Sequence, residues 1–158
     1  MSSDSGAIID LFASVSLGSP QNAVGFVLWR VMHRYQREID RALAAMDLTH
    51  LQFTTLTLVA WLARSGETAT QADLARFGDI HPMQVSLMLK ALEAKTMIVR
   101  TRSAANAVAN SVAITPAGLS VLRRALPLAI DVQRRLFGDE GLPGGSLLAA
   151  LLRVDDDH

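Results

Sequence analysis

Apolar side chains recur at three- and four-residue steps through Val24, Leu28, Val31, Tyr35, Ile39, Ala42 and Met46, while Arg30, Arg34, Arg37 and Arg41 fall on another face. This period predicts an amphipathic helix from about Gln21 to Met46. At roughly 1.5 Å per residue it is about 40 Å long, more than a small domain is wide, so it should pack against something outside its own core. The arginine face reads either as a solvated surface or as a contact for a partner or a phosphate.

From Leu48 to Ala63 the run LTHLQFTTLTLVAWLA carries no Asp, Glu, Lys or Arg. Phe53, Leu56, Val59 and Ala63 line one face and Leu51, Leu58 and Leu62 another, which predicts a central helix buried on two sides. Thr49 is suited to cap its start, and Arg64, Ser65 and Gly66 to end it. Two shorter helices follow. Thr70 caps the first with Asp73 at the reciprocal position. The turn GDIH leads to Pro82, placed for the first position of the second. In that helix Val85, Met88, Leu89 and Leu92 take the core spacing, which leaves Met83, Gln84, Ser86, Leu87 and Lys90 facing outward. Two large apolar side chains and a Gln are unusual on a merely solvated face.

Met97 to Val99, with alternating Arg100 and Arg102, reads as a strand, and SVAIT (111–115) as a second, joined by the small, polar SAANAVAN. Thr115 and Pro116 then start a helix to about Phe137 carrying Leu119, Leu122, Leu126, Ile130 and Leu136, with Pro127 expected to bend it. GDEGLPGG breaks the chain before a last apolar helix, about Ser146 to Val154, and the tail DDDH.

Composition narrows the function. The 158 residues suffice for one domain with helical extensions and are too few for a two-domain cofactor enzyme. There is no cysteine, so thiolate metal sites, disulfides and thiol switches are excluded. His33, His50, His81 and His158 are scattered, and no metalloprotease, nucleophile-elbow, phosphate-loop or dinucleotide motif is present. Asp155, Asp156, Asp157 and His158 read as a solvated tail rather than a metal site. The chain is therefore expected to be no enzyme and to need no cofactor or metal. The apolar run AIIDLFASVSL follows Asp4 and has no basic residue before it, a poor signal peptide, and the longest uncharged window (103–122) is too polar to span a bilayer. A soluble, cytoplasmic protein with no membrane partner is expected. Lys and Arg number 15, as do Asp and Glu. Locally the long helices are basic, whereas Glu67–Thr115 holds five basic residues (Arg76, Lys90, Lys95, Arg100, Arg102) against four acidic ones (Glu67, Asp73, Asp79, Glu93), a net of +1.

The order of elements is a winged helix-turn-helix, mainly α with a small β-hairpin wing, flanked by N- and C-terminal dimerisation helices. The segments LTHLQFTTLTLVAWLA, TQADLARFGDI, MQVSLMLKALEAK, MIVRTRS and VAITPAG, in that order, resemble the MarR family of bacterial transcriptional regulators. The resemblance implies an extension over residues 1–20, dimerisation helices over 21–47 and 116–154, a DNA-binding domain over 48–115 and an acidic tail over 155–158. It further implies a homodimer whose two recognition helices enter successive major grooves of double-stranded DNA about 10 bp apart, reading a pseudo-palindrome. Pro82, Met83, Gln84, Ser86, Leu87 and Lys90 would then face the groove, with Gln84 toward an adenine edge, Met83 or Leu87 toward a thymine methyl and Lys90 toward phosphate. Packing on a neighbouring element is the other reading of Met83 and Leu87.

Departures from the family pattern matter too. Asn106 and Val108 stand where many members carry an Asp and a minor-groove Arg, and Thr96 stands where a turn glycine is common. Arg100 and Arg102 remain as basic candidates at the wing, each equally readable as a solvated strand residue. The resemblance also implies a small aromatic or carboxylate effector, for which Trp29, Met32, His33, Phe53 and Leu56 are candidates, His33 being the titratable one; ordinary core packing is the alternative. The leading reading is a ligand-responsive repressor. Its rival is a relative with weakened DNA binding that acts as a ligand- or protein-binding dimer.

Overall fold

Reciprocal caps start two of the helices. The Gln52 N–H donates to Thr49 Oγ1 at 3.3 Å while the Thr49 N–H donates to Gln52 Oε1 at 3.3 Å. Asp73 N–H donates to Thr70 Oγ1 at 3.1 Å, and Thr70 N–H returns a bond to Asp73 Oδ2 at 3.1 Å. Each box satisfies two backbone donors that a helix start leaves without partners. The computed structural model describes residues 4–102 and 110–155. Its elements are α1 (Ser5–Val15), α2 (Val24–Leu43), α3 (His50–Leu62), β1 (Ala69–Thr70), α4 (Gln71–Gly78), α5 (Pro82–Ala94), β2 (Ile98–Arg102), β3 (Asn110–Ile114), α6 (Pro116–Phe137) and α7 (Ser146–Val154).

The chain divides into two compact units, Met1–Arg37 and Glu38–His158. The first holds α1 and most of α2. Helix α1 is an addition to the sequence reading, which gave the N-terminal extension no helix; Asp4 Oδ1 starts it by accepting the Gly6 N–H at 3.0 Å. No side chain of α1 is buried, and the buried residues of α2, Ile39 and Leu43, both belong to the second unit. Ile9, Leu11, Val15, Val24 and Trp29 are all exposed.

In the second unit α3 is central, packing against α4, α5, α6 and β3. Its Phe53, Leu56 and Val59 meet Leu74, Val85, Leu89, Leu92, Ile98 and Val112 in one buried core. The face of Leu51, Leu58 and Leu62 is only half-buried. Thr55, buried within the helix, donates its hydroxyl to Leu51 O at 2.8 Å, so its polarity costs little. The sheet has three antiparallel strands in the order β1-β3-β2, one more than the expected hairpin. Ile98 pairs with Ile114 and Arg102 with Asn110 on one side of β3, while Ala69 pairs with Val112 and Thr70 with Ser111 on the other.

Helix α6 starts where expected, the Thr115 hydroxyl accepting the Gly118 N–H at 3.0 Å and donating to Thr96 O at 2.6 Å. It buries Gly118, Leu122, Ala125, Ala129 and Val132, whereas Leu119, Leu126, Leu128 and Ile130 are exposed. Leu151, Leu152 and Val154 of α7 are exposed as well. Asn106 and Val108 at the hairpin tip, and Asp156, Asp157 and His158 of the tail, lie outside the described residues. Among the described residues no helix is long and apolar enough to cross a membrane, and no group of three His, Asp or Glu is placed to hold a metal ion.

Candidate nucleic-acid interface

The turn between α4 and α5 is set by its residues. Asp79 takes a left-handed backbone at φ 47°, which ends α4. Its small polar side chain makes that conformation less costly than most. His81 caps α5 through Nδ1, which accepts the Met83 N–H at 3.2 Å and so must be unprotonated. Pro82 occupies the first turn, where its missing N–H leaves no donor wanting a partner.

Val85, Leu89 and Leu92 are fully buried and fix how α5 is rotated. At about 100° per residue, Met83, Leu87 and Lys90 then form one stripe on the opposite side, with Gln84 and Ser86 flanking it. Met83 is 70% exposed and Leu87 59%; Pro82, Gln84 and Lys90 are exposed and Ser86 half-buried. Within the described residues, then, neither Met83 nor Leu87 is buried against a neighbouring element.

The basic residues of this head divide sharply. Arg100, only 16% exposed, is neither free at the wing nor solvated. Its Nη2 donates to Glu93 Oε1 at 2.9 Å and its Nε to Glu93 Oε2 at 3.3 Å, while its backbone N–H reaches the same carboxylate at 3.2 Å. This fork ties the C-terminal turn of α5 to the first strand of the wing. Lys95 Nζ lies 3.2 Å from Asp47 Oδ2 and donates to Gln52 Oε1 at 2.9 Å, anchoring the end of α5 to the start of α3. Arg76 pairs with Asp73 at 2.8 Å. The Asp73 carboxyl is held below its ordinary pKa, chiefly by the Thr70 hydroxyl, with help from the Thr70 N–H and Arg76 against a smaller opposing effect of burial. Lys90 enters no ion pair among the described residues. Arg102 is described through its backbone, at the end of β2. Sequence reasoning missed these anchoring roles because each partner comes from a different element, seven residues apart for Arg100 and 48 for Lys95.

The effector candidates fall into both units. In the first, the Trp29 and His33 rings lie 4.3 Å apart between centroids, and His33 Nδ1–H donates to Trp29 O at 2.7 Å. Trp29, Met32 and His33 are exposed. In the second unit Phe53 and Leu56 are core residues, Leu56 with no exposed surface. That is the packing alternative, and it leaves no face of Leu56 open to a ligand.

A helical core, a helix-turn-helix with its second helix presented to solvent and a sheet edge beside it define a winged-helix DNA-reading head. The MarR family model matches residues 48–107. The uncharacterized HTH-type transcriptional regulator YdcH of Bacillus subtilis (strain 168) is 34% identical over 118 residues, covering 75% of this chain and 80% of that protein. The chain belongs to the MarR family of transcriptional regulators. Among solved structures, the transcriptional repressor CouR bound to a 23-mer DNA duplex superposes with a TM-score of 0.73 at 25% identity, covering 90% of this chain and 99% of that one. CouR from Rhodococcus jostii RHA1 bound to p-coumaroyl-CoA gives 0.70 at 23% identity, covering 87% and 91%.

Proposed function

We propose that the chain is a homodimeric repressor that reads a pseudo-palindromic operator through α5. The observation that carries this is the stripe of Met83, Leu87 and Lys90, flanked by Gln84 and Ser86, which α5 turns to solvent while its other face is locked in the core. Pro82, Met83, Gln84, Ser86 and Leu87 meet base edges and Lys90 meets phosphate, with Arg102 at the wing; Arg100 acts by fixing the wing to α5. The CouR complex with a DNA duplex supports this reading. The dimer is supported by the apolar surface of α1, α2, α6 and α7, which one subunit leaves in water.

Three of the five basic residues of the head are taken up by carboxylates, so binding should rest on few phosphates and fall gently with salt. The test is mobility shift on the DNA beside the chain's own gene. Specific, saturable binding that is lost in the Gln84→Ala, Lys90→Ala double variant supports the reading. Only weak, sequence-independent binding would transfer support to the rival, a ligand- or protein-binding dimer, which the exposed Met83 and Leu87 also suit. A salt slope equivalent to about eight or more phosphates per dimer contradicts the contact assignment. An aromatic or carboxylate effector met by Trp29, Met32 and His33 belongs to the same reading, and equal heats of aromatic carboxylates with wild type and His33→Ala would remove His33 from it.

A further inference from the structure

Arg30, Arg34 and Arg37 recur along α2 at steps of four and three residues, and with Gln21, Val27 and Val31 they line a cavity of about 330 Å3. That volume lies at the lower end of small-molecule sites, roughly 300–1,000 Å3. The ion pairs formed among the described residues involve none of the three guanidiniums. Arg30 instead lies over the Phe26 ring at 5.8 Å from its centroid. The acidic residues of Met1–Arg37 are Asp4 and Asp10 alone, and Glu38, next along α2 and four residues from Arg34, is itself paired with Arg41 and Arg135.

Three like charges within two helical turns repel one another, and each loses that penalty when an anion sits among them. Guanidinium forks match phosphate and carboxylate oxygens two at a time, and a triply positive groove favours the dianion. Val27 and Val31 give the same groove an apolar wall that an inorganic ion would leave unused. At about 100° per residue, Met32 lies on the far side of α2 with Trp29 beside it, while His33, three residues from Arg30 and four from Arg37, borders the arginine stripe on the side away from Val27 and Val31.

We propose that the Arg30–Arg34–Arg37 groove binds an organic phosphate with an apolar body, the phosphate among the guanidiniums and the body against Val27 and Val31. Its regulatory consequence, a change in DNA binding, rests on the reading of the chain as a repressor; the binding itself does not.

The experiment is calorimetric titration of the full chain with 1-naphthyl phosphate, with inorganic phosphate and 1-naphthol as its separated halves and 1-naphthoate as the singly charged analogue. The whole molecule should bind about tenfold or more tightly than either half and than 1-naphthoate. Arg34→Ala and Arg37→Ala should each weaken it about tenfold, and Arg34→Lys should restore only part of the loss. Equal affinity of wild type and both alanine variants overturns the proposal, as does binding of 1-naphthoate that is equally tight and equally sensitive to the same two substitutions. So does a shift in subunit assembly of the alanine variants by light scattering without ligand, which would make the stripe a contact between copies. Parallel mobility shifts separate the two readings: ligand binding without specific DNA binding fails the repressor and leaves the site standing, and the reverse result fails the site alone.

Discussion

Gly118 is the tightest point at which α6 meets the reading head, and it yields the sharpest test of the packing. A Cβ at this position would lie 2.0 Å from Met97 O, 2.9 Å from Met97 C and 3.0 Å from Ile114 Cγ1. Two of these obstacles are backbone, so no rotamer change clears them. Restoring an ordinary contact of 3.4 Å to the carbonyl means moving it by about 1.4 Å. That carbonyl accepts the Thr115 N–H at 3.0 Å, and Thr115 is the cap of α6, so the movement breaks a bond at the helix start. Overpacking costs roughly 1–3 kcal/mol and the lost hydrogen bond about 1 kcal/mol, against about 1 kcal/mol gained from the better helix propensity of Ala. Gly118→Ala should therefore destabilise by about 1–3 kcal/mol, a fall in Tm of roughly 2–12 °C for a chain of this size. Gly25→Ala is the matching control: it is also helical, a Cβ there meets no atom within 4 Å, and the change should be neutral or stabilising by up to about 1 kcal/mol. Urea unfolding at one fixed protein concentration measures both. A Gly118→Ala variant within about 0.5 kcal/mol of wild type would refute the close approach of α6 to Met97.

Thr96 sits at φ 60°, so Thr96→Gly should stabilise by about 1 kcal/mol in the same assay, the relief of a β-branched left-handed residue outweighing the added chain entropy. Arg100→Ala should cost about 1 kcal/mol of stability, and Arg100→Lys should recover little of it because one ammonium cannot span both Glu93 oxygens. Met83→Ala and Leu87→Ala should each change stability by less than about 0.5 kcal/mol while weakening specific DNA binding in mobility shifts. Burial lowers the His50 pKa below 6.5, against a smaller opposite pull from Asp40. The unfolded chain then binds the proton first, so stability should fall as pH drops below about 6.5, and His50→Gln should flatten that slope. Asp73, held below 3.8, contributes stability that is complete above that value and lost as pH falls through its folded pKa, which places its effect in a separate, more acidic window.

Most of the second unit was legible because its signals are local. Thr49, Thr70 with Asp73, Pro82 and Thr115 with Pro116 each mark a helix start within four residues, and the helices begin there. Helix α1 went unread although Ile8, Leu11, Phe12 and Val15 recur at the helical spacing, because the run is short and was weighed only as an export signal. Strand β1 is two residues long, too short for alternation to show. In α6 the sequence marks Leu119, Leu126 and Ile130 as apolar, and the subunit leaves them exposed while burying Ala125 and Ala129. A hydrophobic pattern reports that a surface should be covered, not by which chain. The outward stripe of α5 was readable from spacing, whereas the roles of Arg100 and Lys95 were not, since a cation's partner depends on the folded neighbours of both groups.

Strand β1 also constrains how the head can move. Thr70 pairs with Ser111 of the wing and, through the same residue, caps α4; at the other edge Glu93 and Arg100 join the wing to α5. The wing is thus clamped to both helices of the reading unit. Through these contacts a tilt of β3 pulls on the first turn of α4, and a slide of β2 pulls on the last turn of α5. The described strands and both helices are thus joined like parts of one stamp, the bonds that hold β2 and β3 being the same ones that start α4 and finish α5.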